Sequence, residues 1–338
     1  MRAAVAAVAM AWEGCGNLSN LSTNKKVKEM IRTLAQKNQE DLILNVFSLA
    51  FRQGVRLSDR DFTLGISSCA KSQLWQLACR LLHEMPTMKV CPNTIVYNAT
   101  MKACDRGGQW QQALTLFEAM PEAGISQDVV SYNTVISAFG EGGQWQKALS
   151  IFSAMSSANV QPNAVSHNAT ISVCVKHSQW EDALCLFDAM STSTVLHDVF
   201  SYSTVISAWG ASSWQQALNS FRMMLEEAVW PNTAVYNATI NVCGAQSAWQ
   251  PALGLFEAIH HGQLRHDVIS YNAAIRAWEK VAEWQHALAL FQAMSSAVRM
   301  VPNSTSHNAT ISAWLAVWNC FFHNLGMSSS DFHIFQRG

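Results

Sequence analysis

The chain has 338 residues, 49% of them hydrophobic and 13% charged, with a formal net charge of −1. That composition excludes a disordered chain and leaves ample apolar sequence for a core. There is no global basic excess of the kind that by itself announces nucleic-acid binding, and no apolar run reaches the about 18 residues of a membrane span, so no membrane partner is expected.

Taken from the amino end, Met1 to Trp12 is apolar and free of acids with Arg2 in front, so 1–23 could be a targeting or disordered segment. Residues 24–58 read as a divergent copy of the repeating unit that begins at Asp59. That unit holds Tyr-Asn or His-Asn, an apolar stretch, a Trp, an Ala-Leu pair, a Phe and an Ala-Met. The Ala-Leu pair recurs as Ala113-Leu114, Ala148-Leu149, Ala183-Leu184, Ala217-Leu218, Ala252-Leu253 and Ala287-Leu288. A period of about 35 residues signals an array of supersecondary units rather than one domain. The units are 59–93, 94–128, 129–163, 164–198, 199–232, 233–267 and 268–303, with a partial unit 304–318 and a non-repeat tail 319–338.

In the third unit Trp145, Ala148, Leu149, Phe152 and Met155 form one helical stripe. A first helix from about Val130 to Phe139 carries Tyr132, Val135, Ile136 and Phe139 on one face, and Gly140, Gly142 and Gly143 then break it. Each unit is therefore a helical hairpin, and because a hairpin cannot cover its own apolar face the units must stack into an all-α solenoid. The seven Trp at the start of the second helices (Trp75, Trp110, Trp145, Trp180, Trp214, Trp249, Trp284) could form a base-stacking ladder, but they share a face with Ala-Leu, Phe and Met and read as core. His167 and His307 stand where other units have Tyr and read as packing residues.

Of the nine cysteines, Cys69, Cys104, Cys174 and Cys243 fall at one repeated position and read as small buried hydrophobes. There is no CxxC pair, zinc-spaced Cys/His cluster, deaminase signature, Gly-rich phosphate loop or nucleophile elbow. No cofactor, no metal and no enzymatic activity are expected. Asn98-Ala-Thr100, Asn168-Ala-Thr170, Asn237-Ala-Thr239 and Asn308-Ala-Thr310 match the glycosylation sequon, but one fixed place in a repeat explains all four.

The run Val129-Val130-Ser131-Tyr132-Asn133-Thr134-Val135-Ile136, followed by Ala148-Leu149, Phe152, Met155 and Pro162-Asn163, resembles the pentatricopeptide repeat, with P-type-like units, over about 59–318. The resemblance implies a right-handed superhelical solenoid, a handedness that the period alone leaves open. It also implies that the fifth and last residues of a unit together read one RNA base. Those pairs are Thr63 with Asn93, Asn98 with Asp128, Asn133 with Asn163, Asn168 with Asp198, Ser203 with Asn232, Asn237 with Asp267, and Asn272 with Asn303. Such side chains can bond the Watson–Crick edge of an unstacked base, although Asn, Asp and Ser also cap helices. The pair positions are expected to face solvent. By the family's pairing rules the units read A-U-Y-U-A-U-Y, 5′ to 3′.

Second residues Ile95, Val130, Val165, Phe200, Ala234 and Ile269 are suited to wedge between bases. Lys71, Arg106, Lys176 and Lys280 share the thirteenth position and are candidates for the RNA backbone, while Glu141, Ala211 and Ala245 break that series. The implied work is sequence-specific single-stranded RNA binding in organellar processing, stabilisation, editing or translation, alongside a separate RNA-processing enzyme, in the chloroplast or alternatively the mitochondrion. A tetratricopeptide-like protein-interaction scaffold has the same architecture and is the alternative.

Overall fold

The computed structural model describes residues 46–47, 57–193, 195–262, 264–279, 284–296 and 302–324. The segment 1–23, most of 24–58 and the residues after Asn324 lie outside them. Among the described residues all regular structure is helical. The chain divides into two compact units, one ending at His177 and one beginning at Ser178.

The first unit holds α1 (Asp59–Lys71), α2 (Trp75–Glu84), α3 (Thr94–Arg106), α4 (Trp110–Glu122), α5 (Val129–Glu141), α6 (Trp145–Ser157) and α7 (Ala164–Lys176). The second holds α8 (Trp180–Thr192), α9 (Val199–Ala208), α10 (Trp214–Glu226), α11 (Thr233–Ala245), α12 (Trp249–His261), α13 (Val268–Glu279), α14 (Trp284–Ser296) and α15 (Ser304–Asn324). The last helix runs past Trp318, where the repeat pattern ends. Gly140, read above as a breaker, lies inside α5; Gly142 is the C-cap and Gly143 forms the turn at φ 72°.

In each unit the first helices pack on one another, α1 on α3 on α5 on α7, and α9 on α11 on α13 on α15. The second helices α2, α4, α6, α10, α12 and α14 each lie against the first helix of their own repeat and against that of the next, and α8 lies against α9. From α5 onward the ring that opens each first helix meets the Phe of the preceding second helix edge-on: Phe117 with Tyr132 (4.9 Å), Phe152 with His167 (4.9 Å), Phe187 with Tyr202 (5.3 Å), Phe221 with Tyr236 (5.1 Å), Phe256 with Tyr271 (5.3 Å) and Phe291 with His307 (5.1 Å). Two histidines thus occupy the tyrosine slot, as edge-to-face aromatic packing allows. Cys69, Cys104, Cys174 and Cys243 are fully buried thiols.

The Trp residues are half-buried and lie across the joint between repeats. Trp110 packs on Phe139 at 5.8 Å, Trp180 on Trp209 at 6.3 Å and Trp249 stacks on Trp278 at 5.2 Å. An added Cβ at Gly107 would lie 2.6 Å from Trp75 Cδ1, and at Gly142 2.1 Å from Trp110 Cδ1, so a residue without a side chain lets the ring seat there. At two repeats where this position is not glycine, its side chain bonds back to the preceding repeat. His177 Nε2 donates to the Gly140 carbonyl at 2.9 Å, and Gln246 Nε2 donates to the carbonyls of Trp209 (3.3 Å) and Gly210 (3.2 Å).

Both turns of the hairpin use a left-handed residue, at Gln73, Gly108, Gly143, Ser178 and Ser247 within repeats and at Lys89, Gly124, Asn159 and Ala228 between them. Ala228 sits at φ 58° with a Cβ that crowds its own backbone. Ala228→Gly is therefore expected to stabilise the fold by about 1 kcal/mol, seen as a higher urea midpoint; an unchanged or lower midpoint would show that the turn carries no strain.

Candidate nucleic-acid interface

The seven residues at unit ends all cap the first helix of the next repeat. Asn93 accepts from Val96 N–H at 3.0 Å, Asp128 from Ser131 at 2.8 Å, Asn163 from Ser166 at 3.0 Å and Asp198 from Ser201 at 2.8 Å. Asn232 accepts from Val235 at 3.0 Å, Asp267 from Ser270 at 2.7 Å and Asn303 from Ser306 at 3.0 Å. Capping holds one carboxylate or amide oxygen against the helix end and leaves the rest of the group outward, since all but Asn93 are exposed.

Three caps are met by the fifth residue of the preceding first helix. Asn98 Nδ2 donates to Asp128 Oδ1 at 3.0 Å, Asn237 Nδ2 to Asp267 Oδ1 at 3.0 Å and Asn272 Nδ2 to Asn303 Oδ1 at 3.5 Å. The stacking of first helices thus joins side chains some thirty positions apart. Asn98, Asn237 and Asn272 are 9%, 6% and 7% exposed, which corrects the expectation that these positions face solvent: the next repeat covers them. Asn308, at the same position in α15, is exposed. The carbonyl oxygens of Asn133, Asn237 and Asn272 are buried with no protein donor.

The first pair differs. Thr63 donates to the Asp59 carbonyl at 2.8 Å, and the Asn93 amide goes to Asp59 Oδ2 at 2.8 Å, so the first pair does not meet. No hydrogen bond joins Asn133 to Asn163, although Asn272 and Asn303 at the same positions meet, and none joins Ser203 to Asn232, where serine is shorter. Asn168 is buried in the first unit, and Asp198 caps α9 in the second.

Burial disfavours the charged form of Asp128, but the Ser131 N–H and hydroxyl and the Asn98 amide outweigh it and hold the carboxyl below its usual range. Its contribution to stability is therefore present above the ordinary carboxylate pKa and fades as pH falls through the lowered one.

Second residues hold their side chains outward in both units. Ile95 is 63% exposed, Val130 56%, Val165 61%, Phe200 55% and Ile269 63%, and Ala234 is exposed as well. In the second unit a groove of about 470 Å³ runs along α11, α13 and α15, lined by Ala234, Ile269 and Thr305 from three successive second positions and by both the Asn237/Asp267 and Asn272/Asn303 pairs.

Two of the thirteenth-position cations, expected as a partial stripe, have partners within the protein. Lys176 Nζ pairs with Glu141 at 2.8 Å, and Arg106 Nη1 reaches the Ala70 carbonyl at 3.5 Å. Lys71 is exposed at the end of α1, and Lys280 lies outside the described residues. Glu141, which interrupts the series in the sequence, is the partner of the next lysine in it. Arg276, at the ninth position of its unit, lines the groove instead and donates to Asn241 Oδ1 at 3.3 Å. Sequence reasoning also missed Ser131, Ser166, Ser201, Ser270 and Ser306, which lock the caps; the recurring Asx-x-x-Ser spacing is their signal. Among the described residues no group of three or more His, Cys, Asp or Glu side chains is placed to hold a metal ion, and no helix is long and apolar enough to cross a membrane.

Fold and face together define an array of helical hairpins in which each first helix offers a polar fifth residue, a capping partner from the next repeat and, in most repeats, an exposed apolar second residue. Family profiles match as the PPR repeat family over 127–176 and 162–209, the pentatricopeptide repeat domain over 45–106 and the PPR repeat over 95–125. Residues 45–125 and 127–209 thus match the repeats of the pentatricopeptide repeat family. The fold of the chain is that of the crystal structure of the pentatricopeptide repeat protein PPR10 from maize, at TM-score 0.55 and 18% identity over 87% of this chain and 47% of that one. The structure of PPR10 in complex with an 18-nt psaJ RNA element is similar at TM-score 0.58 and 18% identity, over 91% and 51%. The chain thus spans about half the length of these structures. No curated protein sequence matches it.

Proposed function

We propose that the chain binds single-stranded RNA along the face formed by its first helices, with one base per repeat, and takes part in organellar RNA processing, stabilisation, editing or translation. The observation that carries this reading is the exposed apolar side chain at the second position of five repeats, Ile95, Val130 and Val165 in the first unit and Phe200 and Ile269 in the second, each in a repeat with polar fifth and last residues. Apolar exposure of this regularity is unfavourable in water and suits the faces of unstacked bases, while the pairs suit their edges. PPR10, of like fold, is crystallised with RNA.

The pair at Asn237 and Asp267 favours a particular edge. Asp267 Oδ1 is taken by the Ser270 N–H, the Ser270 hydroxyl and the Asn237 amide, at 2.7, 2.8 and 3.0 Å. Its other oxygen is left for a ring N–H, which uracil and guanine carry and adenine and cytosine lack. Of these two, uracil is the base that the family's pairing rules give for this repeat. Chemistry on the bound RNA would fall to an enzyme on another chain, and the chloroplast, or alternatively the mitochondrion, is the setting that the family suggests.

Selection of ligands by the purified chain from a random RNA pool tests the reading. Single strands should be preferred to duplex and to DNA, with recovered sequences containing A-U-Y-U-A-U-Y. Because Arg106 and Lys176 are engaged within the protein, affinity should fall with salt along a shallow slope, on the order of four phosphate contacts or fewer. Equal binding to all three, or none at low salt, would favour a peptide-binding scaffold.

A further inference from the structure

We propose that Cys79 and Cys104 are a peroxide-sensitive dithiol that closes to a disulfide, stapling the second helix of one repeat to the first helix of the next. Cys79 lies on α2 and Cys104 on α3, with their Sγ atoms 3.7 Å apart. A disulfide needs about 2.05 Å, a gap that small rotations of two side chains already in contact can close. The pair sits at an apolar cluster of Cys104, Ala113 and Ala138, packed against Trp75 and Trp110 at the joint between repeats.

The two thiols are not equivalent. Cys79 is half-buried and open to a small oxidant, whereas Cys104 is fully buried. The Cys104 thiol donates to Cys79 and favours its thiolate, lowering the Cys79 pKa against a smaller opposing effect of burial. That same bond, with burial, pushes the Cys104 thiol far up. The order of chemistry follows: the Cys79 thiolate attacks one oxygen of hydrogen peroxide, breaking the O–O bond and releasing water after proton transfer, to leave a sulfenic acid. The Cys104 sulfur then attacks Cys79 Sγ, the S–O bond breaks, and the hydroxyl leaves as a second water carrying the Cys104 proton. Two thiols are oxidised and one peroxide is reduced. The helices are already packed, so no larger rearrangement is required.

The test treats the folded full chain with one equivalent of hydrogen peroxide, blocks remaining thiols with an alkylating agent and maps peptides by mass spectrometry. The expected product is a Cys79–Cys104 cross-linked peptide, two hydrogens lighter and reversed by a dithiol reductant, while the exposed Cys91 and Cys185 remain alkylated. In Cys104→Ser the oxidation should stop at Cys79 as a sulfenic acid captured by a 1,3-diketone; circular dichroism reports whether that variant folds, and the unmodified chain gives the cross-link result independently of it. Oxidation of Cys91 or Cys185 ahead of the pair, or a cross-link formed only in denaturant, would overturn the proposal.

Discussion

Replacing Asn237 by Thr is expected to shift the sixth base from uracil toward guanine, with a change in discrimination of about 1–3 kcal/mol if bidentate base contacts are a fair guide. Asp267 is untouched, so a ring N–H is still required and both bases qualify. What changes is the depth and polarity of the partner, since Thr is shorter than Asn and offers a hydroxyl in place of an amide. Competition between RNAs differing only at that base reads the effect, and an unaltered ratio would mean that the register or the RNA reading is wrong. The substitution is not neutral for folding: Asn237 is 6% exposed and its amide bond to Asp267 disappears, for a loss of about 1 kcal/mol.

Trp110→Ala is expected to cost about 3 kcal/mol of stability, the low end for a large aromatic because the ring is only half-buried. It removes the contact with Phe139 at 5.8 Å, empties the seat over Gly142 and takes away the ring on which Lys147 Nζ rests at 4.4 Å from the centroid. Urea unfolding measures the loss. If the Trp series were a stacking platform for bases, the same variant would keep its stability and lose RNA affinity, so the two measurements together separate packing from binding.

The hairpin was legible in the sequence because a helix writes its buried face at a fixed spacing: Trp145, Ala148, Phe152 and Met155 lie on one stripe, and the aromatic or His of the next first helix supplies the ring that Phe152 meets. The polar pairs were legible as recurrences. Their surroundings were not, because whether Asn237 faces water depends on how closely the following repeat approaches, and no periodicity within one repeat encodes that distance. The partners of the charged series were not legible for a related reason. Lys176 and Glu141 occupy equivalent positions in consecutive repeats, and equivalence in a stacked array means adjacency, so opposite charges there neutralise each other before any phosphate arrives. The failed meeting of Thr63 with Asn93 follows from Asp59, an acid at the first position that captures the Asn93 amide.

Each pair proposed to read a base is made of a side chain on one hairpin and the cap of the next, so the proposed unit of recognition is out of phase with the unit of folding. A hairpin cut at its helix boundaries and grafted elsewhere would carry the fifth residue without the cap that completes it. The interchangeable cassette instead runs from one fifth residue to the residue before the next, as from Asn237 to Tyr271, with Asp267 and Ser270 travelling inside it. Recombination at that phase would transplant a complete site, whereas recombination at the helix start would build a hybrid one at each seam.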